Sequence, residues 1–156
     1  MNKDTNQIMA LINAYKMDGL GNDFVIIDRR KNSINLTKEK IIKLGNRTNI
    51  GFDQIIFIEK ERGNSFPITI FNSDGGEVSA CGNGSRCVAY LLGKKLNTTE
   101  IKLKTNNRLL NAKIIEDFQV QLEIGKPLLG FEDIPLSKTI NPADITIKIN
   151  NKTFTG

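Results

Sequence analysis

A segment rich in turn residues leads directly into an apolar one over residues 70–92, where the chain reads IFNSDGGEVSACGNGSRCVAYLL. Residues 84–92 are apolar nearly all round and precede Gly93-Lys-Lys, a pattern that predicts a buried helix. Cys81 comes just before that helix, at the end that carries unpaired N–H groups and the positive pole of the helix dipole. Because a thiolate is stabilised at such an end, its position indicates chemistry at Cys81.

The alternative for Cys81 is the role of most free cysteines, a small buried hydrophobic side chain. Its neighbours Gly82, Asn83 and Gly84 favour a functional role, because they let a ligand approach the backbone closely. Cys87 lies six residues further on, about 240° around a helix, and we expect it to pack in the core. Two cysteines at this spacing also make a poor zinc site, and we predict no bound metal.

Short apolar segments on both sides of this helix predict a sheet around it. One short surface helix, capped by Thr37, is expected over residues 37–44. The predicted strands cover residues 24–28, 54–59, 66–71, 101–105, 108–115, 118–124, 145–149 and 152–155. The expected fold class is α+β, a curved mixed or antiparallel sheet that forms a half-barrel around the central helix.

Composition indicates one ordinary globular domain. The chain has 156 residues, of which 39% are hydrophobic and 25% charged, and no apolar run approaches the roughly 20 residues of a membrane span. We expect an N-terminal extension over residues 1–13 and one domain over residues 14–156. The polar start predicts no signal peptide and a cytoplasmic protein with free thiols. The net charge of +5 comes from scattered lysines without interleaved aromatics, so no nucleic-acid partner is predicted.

The sequence contains no histidine, which excludes Cys-His and Ser-His dyads as well as imidazole metal ligands. Proton transfer would therefore use thiols, carboxylates, lysine or tyrosine. Four amides lie at predicted turns or strand ends, and each alone would be an ordinary turn residue. Together they suit an amino-acid substrate, because amides both donate to carboxylates and accept from ammonium groups. These amides are Asn22, Gln54, Asn72 and Asn83.

Three motifs in register resemble the diaminopimelate epimerase family. They are YKMDGLGNDFVIID over residues 15–28, IGFDQ over residues 50–54, and the segment over residues 70–87. The resemblance implies a cofactor-independent epimerase that converts LL-diaminopimelate to the meso form, on the route to lysine and peptidoglycan. It implies that Cys81 is the acid/base of the first domain and that Gly82 and Asn83 donate backbone N–H groups to the α-carboxylate. By the same resemblance, the substrate contacts side chains of Asn22, Gln54 and Asn72.

This chain is little more than half as long as the family's usual one, and a second, pseudo-symmetric domain carries the opposing cysteine there. The first hypothesis is therefore an N-terminal half-enzyme, whose family is typically homodimeric and whose second domain is missing or supplied by a separate chain. The alternatives are an inactive remnant, as from a broken gene, or a carboxylate-binding half-site module. Because the sequence stops inside a predicted hairpin, we expect open edges and self-association.

Overall fold

The computed structural model describes residues 12–134, 140–141 and 144–155. By its internal contacts the chain divides into two compact units, one ending at Ile124 and the other beginning at Gly125. Within the described residues, no helix has the length and apolar character needed to cross a membrane.

The first unit is one curled mixed sheet with two helices. The helices are α1 (Lys38–Gly45) and α2 (Gly82–Leu96). The strands are β1 (Ala14–Gly19), β2 (Asn22–Asp28), β3 (Gln54–Ile58), β4 (Phe66–Asn72), β5 (Glu77–Val78), β6 (Glu100–Lys104), β7 (Leu109–Glu116) and β8 (Gln119–Glu123). Their order is β1-β2-β3-β4-β6-β7-β8, with β5 paired to β4.

The two helices explain why the sheet is mixed. Neighbouring strands are antiparallel except β2 with β3 and β4 with β6, which are parallel. Parallel neighbours need a crossover connection, and α1 and α2 lie in the two connections. The side chain of Thr37 caps α1 by accepting a hydrogen bond from the N–H of Lys40, as the sequence predicts.

The core lies on both faces of the central strands. Along β2, Phe24 and Ile26 belong to the cluster that packs against α2, while Val25 and Ile27 belong to the cluster around Ile41 of α1. Alternate side chains of a strand point to opposite faces, so a run of apolar residues is buried on both. The predicted fold class, a curved sheet around a central apolar helix with a small helix outside, is confirmed.

Strand β1 was not predicted, because its six residues are only half-buried or exposed and carry no apolar run. It pairs with β2 through a tight turn in which Leu20 has φ 54° and Gly21 has φ 86°.

Helix α2 is also longer than predicted and includes Lys94 and Lys95 before Asn97 ends it in the left-handed conformation.

The second unit contains a short 3-10 turn (Phe131–Asp133) and the hairpin of β9 (Thr146–Ile149) and β10 (Lys152–Thr155). The hairpin confirms the sequence prediction, and its turn residues Asn150 and Asn151 have φ 47° and 64°. Most of the predicted N-terminal extension lies outside the described residues.

Candidate active site

The thiol of Cys81 lies at the start of α2. Cys81 is the N-cap residue, and its Sγ accepts a hydrogen bond from the N–H of Gly84 over 3.3 Å. Gly82 and Asn83 are the first two helical residues, so their N–H groups have no acceptor within the helix. The side chain of Cys81 is free and partly exposed. The sulfur and these N–H donors together form a place where negative charge is favoured.

Glycine at position 84 lets the start of α2 approach the sheet closely. A Cβ atom there would lie 2.5 Å from Cδ1 of Ile56, 3.3 Å from the ring of Phe24 and 3.4 Å from Sγ of Cys81. Phe24 and Ile56 are the third residues of the parallel strands β2 and β3. The thiol is therefore held over the edge at which these strands begin.

The predicted amides lie at that same edge. Asn22 begins β2, Gln54 begins β3, and Asn72 ends the antiparallel β4 directly opposite Gln54. Nε2 of Gln54 donates to Oδ1 of Asn72 over 2.9 Å, and Nδ2 of Asn83 donates to Oδ1 of Asn22 over 2.7 Å. All six residues predicted to form the site thus lie where the first turn of α2 meets one edge of the sheet.

One acceptor at this edge is unused. Oε1 of Gln54 is buried and has no hydrogen-bond partner within the described part of the chain. A buried polar atom without a partner is costly, and a ligand that donates a hydrogen bond would remove that cost.

Cys87 has a different environment. It is 6% exposed, belongs to the core cluster around α2, and its Sγ lies 3.5 Å from the carbonyl oxygen of Asp18. Burial raises the pKa of the Cys87 thiol to about 11. The structure agrees with the expectation that Cys87 packs in the core.

Several charged residues that the sequence did not single out surround the amides. Asp53 accepts from Nδ2 of Asn22 over 3.2 Å, and Arg47 donates 2.6 Å hydrogen bonds to both Asp53 and Asp23. The hydrogen bond from Arg47, with another from Lys16, holds the pKa of Asp23 well below its usual range. The sequence could have indicated the two aspartates, because each is adjacent to a predicted amide in the quoted motifs. Arg47 lies outside those motifs.

Two cavities differ in their relation to the site. One of about 230 Å³ is lined by Asn83 and Cys87 together with the exposed Phe118. The other, of about 870 Å³, is lined by residues from the opposite end of α2, including Lys95, and by Asp28 and Arg30. Among the described residues, no group of three or more His, Cys, Asp or Glu side chains is placed to hold a metal ion.

Comparison with known proteins identifies the family. The family model for diaminopimelate epimerase matches residues 14–129, which include every residue of the site above. The chain belongs to the diaminopimelate epimerase family. Epimerases are isomerases, and the family's name gives diaminopimelate as the compound that its members act on.

Similar proteins are about twice as long as this chain. The chain is 47% identical over 144 residues to the diaminopimelate epimerase of Pelagibacter ubique, an alignment that covers 92% of this chain and 53% of that protein. It is 42% identical over 130 residues to the diaminopimelate epimerase of Acidiphilium cryptum, covering 83% of this chain and 46% of that protein. The chain therefore spans about half the length of the curated relatives it matches.

Solved structures support the fold. A phenazine biosynthesis protein of the PhzF family from Bacillus anthracis matches 71% of this chain and 39% of its own, with a TM-score of 0.52 at 20% identity. Another from Enterococcus faecalis matches 66% of this chain and 40% of its own, also with a TM-score of 0.52, at 16% identity. At this identity, the likeness concerns the fold alone.

Proposed function

We propose that the edge formed by the first turn of α2 and the ends of β2, β3 and β4 is one half of a diaminopimelate epimerase site. The observation that carries the proposal is the position of Cys81. Its sulfur caps helix α2, and backbone N–H donors and side-chain amides lie at the same edge of the sheet. In this role the Cys81 thiolate takes the α-proton from one face of the substrate, and the resulting carbanion is neutralised by a thiol on the opposite face. The chemistry uses thiols alone and needs no cofactor.

The surrounding groups fit an amino-acid substrate. The free N–H groups of Gly82 and Asn83 at the helix start are donors for an α-carboxylate. The unpartnered Oε1 of Gln54 is an acceptor for an ammonium group. Asn22 and Asn72 complete the predicted contacts with side-chain amides. LL-2,6-diaminopimelate, with carboxylates and ammonium groups at both ends, has the matching chemistry.

The opposing thiol has to come from polypeptide outside these 156 residues. The sequence contains two cysteines, and Cys87 is buried in the core behind Cys81. We propose that a further domain, on the same chain or on a separate one, supplies the second thiol, and that the complete enzyme is a homodimer. A cytoplasmic location remains a prediction from the sequence.

A second candidate function follows from the same burial of Cys87. With one accessible thiol, these residues alone can bind a carboxylate and exchange a proton on one face, but cannot readily deliver a proton to the other. The alternative is therefore a binding module, or an inactive remnant, that keeps the half-site without turnover.

The test incubates the 156-residue chain with LL-diaminopimelate in D₂O and follows deuterium at the α-carbon and formation of the meso isomer. We expect little meso product from this chain alone and a clear increase when the remaining half of the Pelagibacter ubique relative is added. Cys81→Ser is the matched control and should abolish that increase. Full turnover by this chain alone would contradict the half-site. Binding without deuterium exchange would favour the module, and absence of both binding and exchange would refute the substrate assignment.

A further inference from the structure

Three side-chain hydrogen bonds in series run through two of the proposed substrate amides. Arg86 donates from its guanidinium to Oδ1 of Asn83. Nδ2 of Asn83 donates to Oδ1 of Asn22 over 2.7 Å, and Nδ2 of Asn22 donates to Oδ2 of Asp53 over 3.2 Å. Both ends of the Asn22 amide are therefore occupied by protein groups.

The two ends of the series fix its direction. A guanidinium can only donate hydrogen bonds and a carboxylate can only accept them. Arg86 therefore requires the oxygen of Asn83 to face it, and Asp53 requires the NH₂ of Asn22 to face it. A reversed Asn22 amide would place its oxygen against the carboxylate of Asp53, oxygen against oxygen. In the observed direction, the second N–H of Asn22 is available to a ligand.

Asp53 is itself held on several sides. Its N–H donates to Oδ1 of Asp23 over 3.0 Å, and the N–H of Asp23 donates to Oδ2 of Asp53 over 3.1 Å. Because each carboxylate accepts from the backbone N–H of the other aspartate, the two negative charges lie close together and repel each other. Lys16 offsets part of this repulsion at Asp23, but a cation that contacts both carboxylates is needed to bridge them. Arg47 provides that charge, with one guanidinium nitrogen 2.6 Å from each aspartate. This geometry needs the planar two-pronged guanidinium, which a lysine ammonium does not reproduce.

We propose that Asp53 and Arg47 are positioning residues, which orient the Asn22 amide so that it offers an N–H to a carboxylate of the substrate. Neither residue touches the reacting atoms in this assignment, and both act through Asn22. The inference rests on the function proposed above for Asn22. It explains why the charged residues Arg47 and Asp53 lie beside the site. It also assigns a donor rather than an acceptor role to the Asn22 side chain.

Two variants and one control test the orientation. Asp53→Asn keeps the shape of the side chain but removes the group that can only accept. Arg47→Gln removes the bridging charge at a side chain that is 60% exposed, where no core cavity is created. Asp28→Asn is the matched control, since Asp28 also accepts from an arginine and a lysine, Arg30 and Lys95, away from these amides.

The first readout needs no substrate. In the ¹⁵N-labelled chain, we expect the side-chain NH₂ resonances of Asn22 and Asn83 to lie away from those of free amides. Asp53→Asn and Arg47→Gln should move both pairs towards the free-amide positions, and Asp28→Asn should leave them unchanged.

The second readout is titration with LL-diaminopimelate in a double-mutant cycle. We expect Asp53→Asn to weaken binding about tenfold, the factor that corresponds to one lost hydrogen bond. Asn22→Ala should have a similar effect, and the double variant should bind no more weakly than Asn22→Ala alone. If Asp53 only stabilised the fold, Asp53→Asn would instead weaken binding further in the double variant.

The outcomes separate the two proposals. If the unmodified chain does not bind diaminopimelate, the proposed function fails, and the NH₂ resonances still decide the orientation. Unchanged Asn22 and Asn83 resonances in both Asp53→Asn and Arg47→Gln would overturn the positioning role. Additive losses in the binding cycle would overturn it as well, because Asp53 would then act independently of Asn22.

Discussion

Cys81 and Cys87 are the same residue type on one helix, and their surroundings give them different reactivity. Cys81 caps α2 at the surface with an N–H donor 3.3 Å from its sulfur, whereas Cys87 is 6% exposed and surrounded by core side chains. Reaction with an alkylating reagent requires both an accessible sulfur and its ionised form. Position on the helix, six residues or about 240° apart, is sufficient to separate the two roles.

Alkylation of the native chain should therefore be selective for Cys81. With iodoacetamide at pH 8 we expect one adduct by mass spectrometry, because Cys87 is only 6% exposed and burial raises its pKa to about 11. Cys81→Ser should give no adduct in the native state, and Cys87→Ser should still give one. In urea, each single variant should give one adduct and the unmodified chain two. Equal rates for both thiols in the native chain would contradict the assigned burial.

At the level of elements, the start of α2 depends on its contact with β2 and β3. Gly84→Ala would place a methyl group 2.5 Å from Cδ1 of Ile56, so the helix or the strand has to move. We expect a loss of about 1–3 kcal/mol in the free energy of unfolding, the usual cost of overpacking a core. Urea denaturation followed by circular dichroism measures this loss.

Gly82→Ala is the matched control in the same helical turn, because the nearest side-chain atom to its added methyl group is Nη1 of Arg86 at 4.0 Å. It should change the free energy of unfolding by less than about 0.5 kcal/mol, as for surface substitutions. Equal losses for the two variants would contradict the assignment of the cost at position 84 to its contact with the sheet.

The sequence predicted the elements that contain many apolar residues and missed the strand that contains few. Residues 24–28 and 84–92 are buried on nearly all sides, and both were found. No side chain of strand β1 is fully buried, so its sequence has no apolar run that would predict a strand. For the site, Asn22, Gln54 and Asn72 lie at strand ends as expected, whereas Asn83 lies in the first turn of α2. Arg47 approaches Asp23 and Asp53 only through the fold of the loop after α1. Such long-range charge contacts have no local sequence signal.

At the level of the whole molecule, the core belongs to the first unit. Every buried hydrophobic side chain in the described part of the chain lies between Phe24 and Ala112. In the second unit, β9 and β10 are exposed at every position. Since burial of apolar surface is the main source of stability, the first unit has the means to fold on its own.

A chain that ends at Ile124 should therefore keep a cooperative unfolding transition. We expect its free energy of unfolding to lie within about 1 kcal/mol of that of the 156-residue chain, because none of the described residues beyond Ile124 is a buried hydrophobic side chain. A chain that ends at Lys104 is the contrasting control. It lacks β7 and β8, and with them Leu110 and Ala112 of the core, and should not fold. Loss of cooperativity on truncation at Ile124 would show that the second unit contributes to the stability of the first.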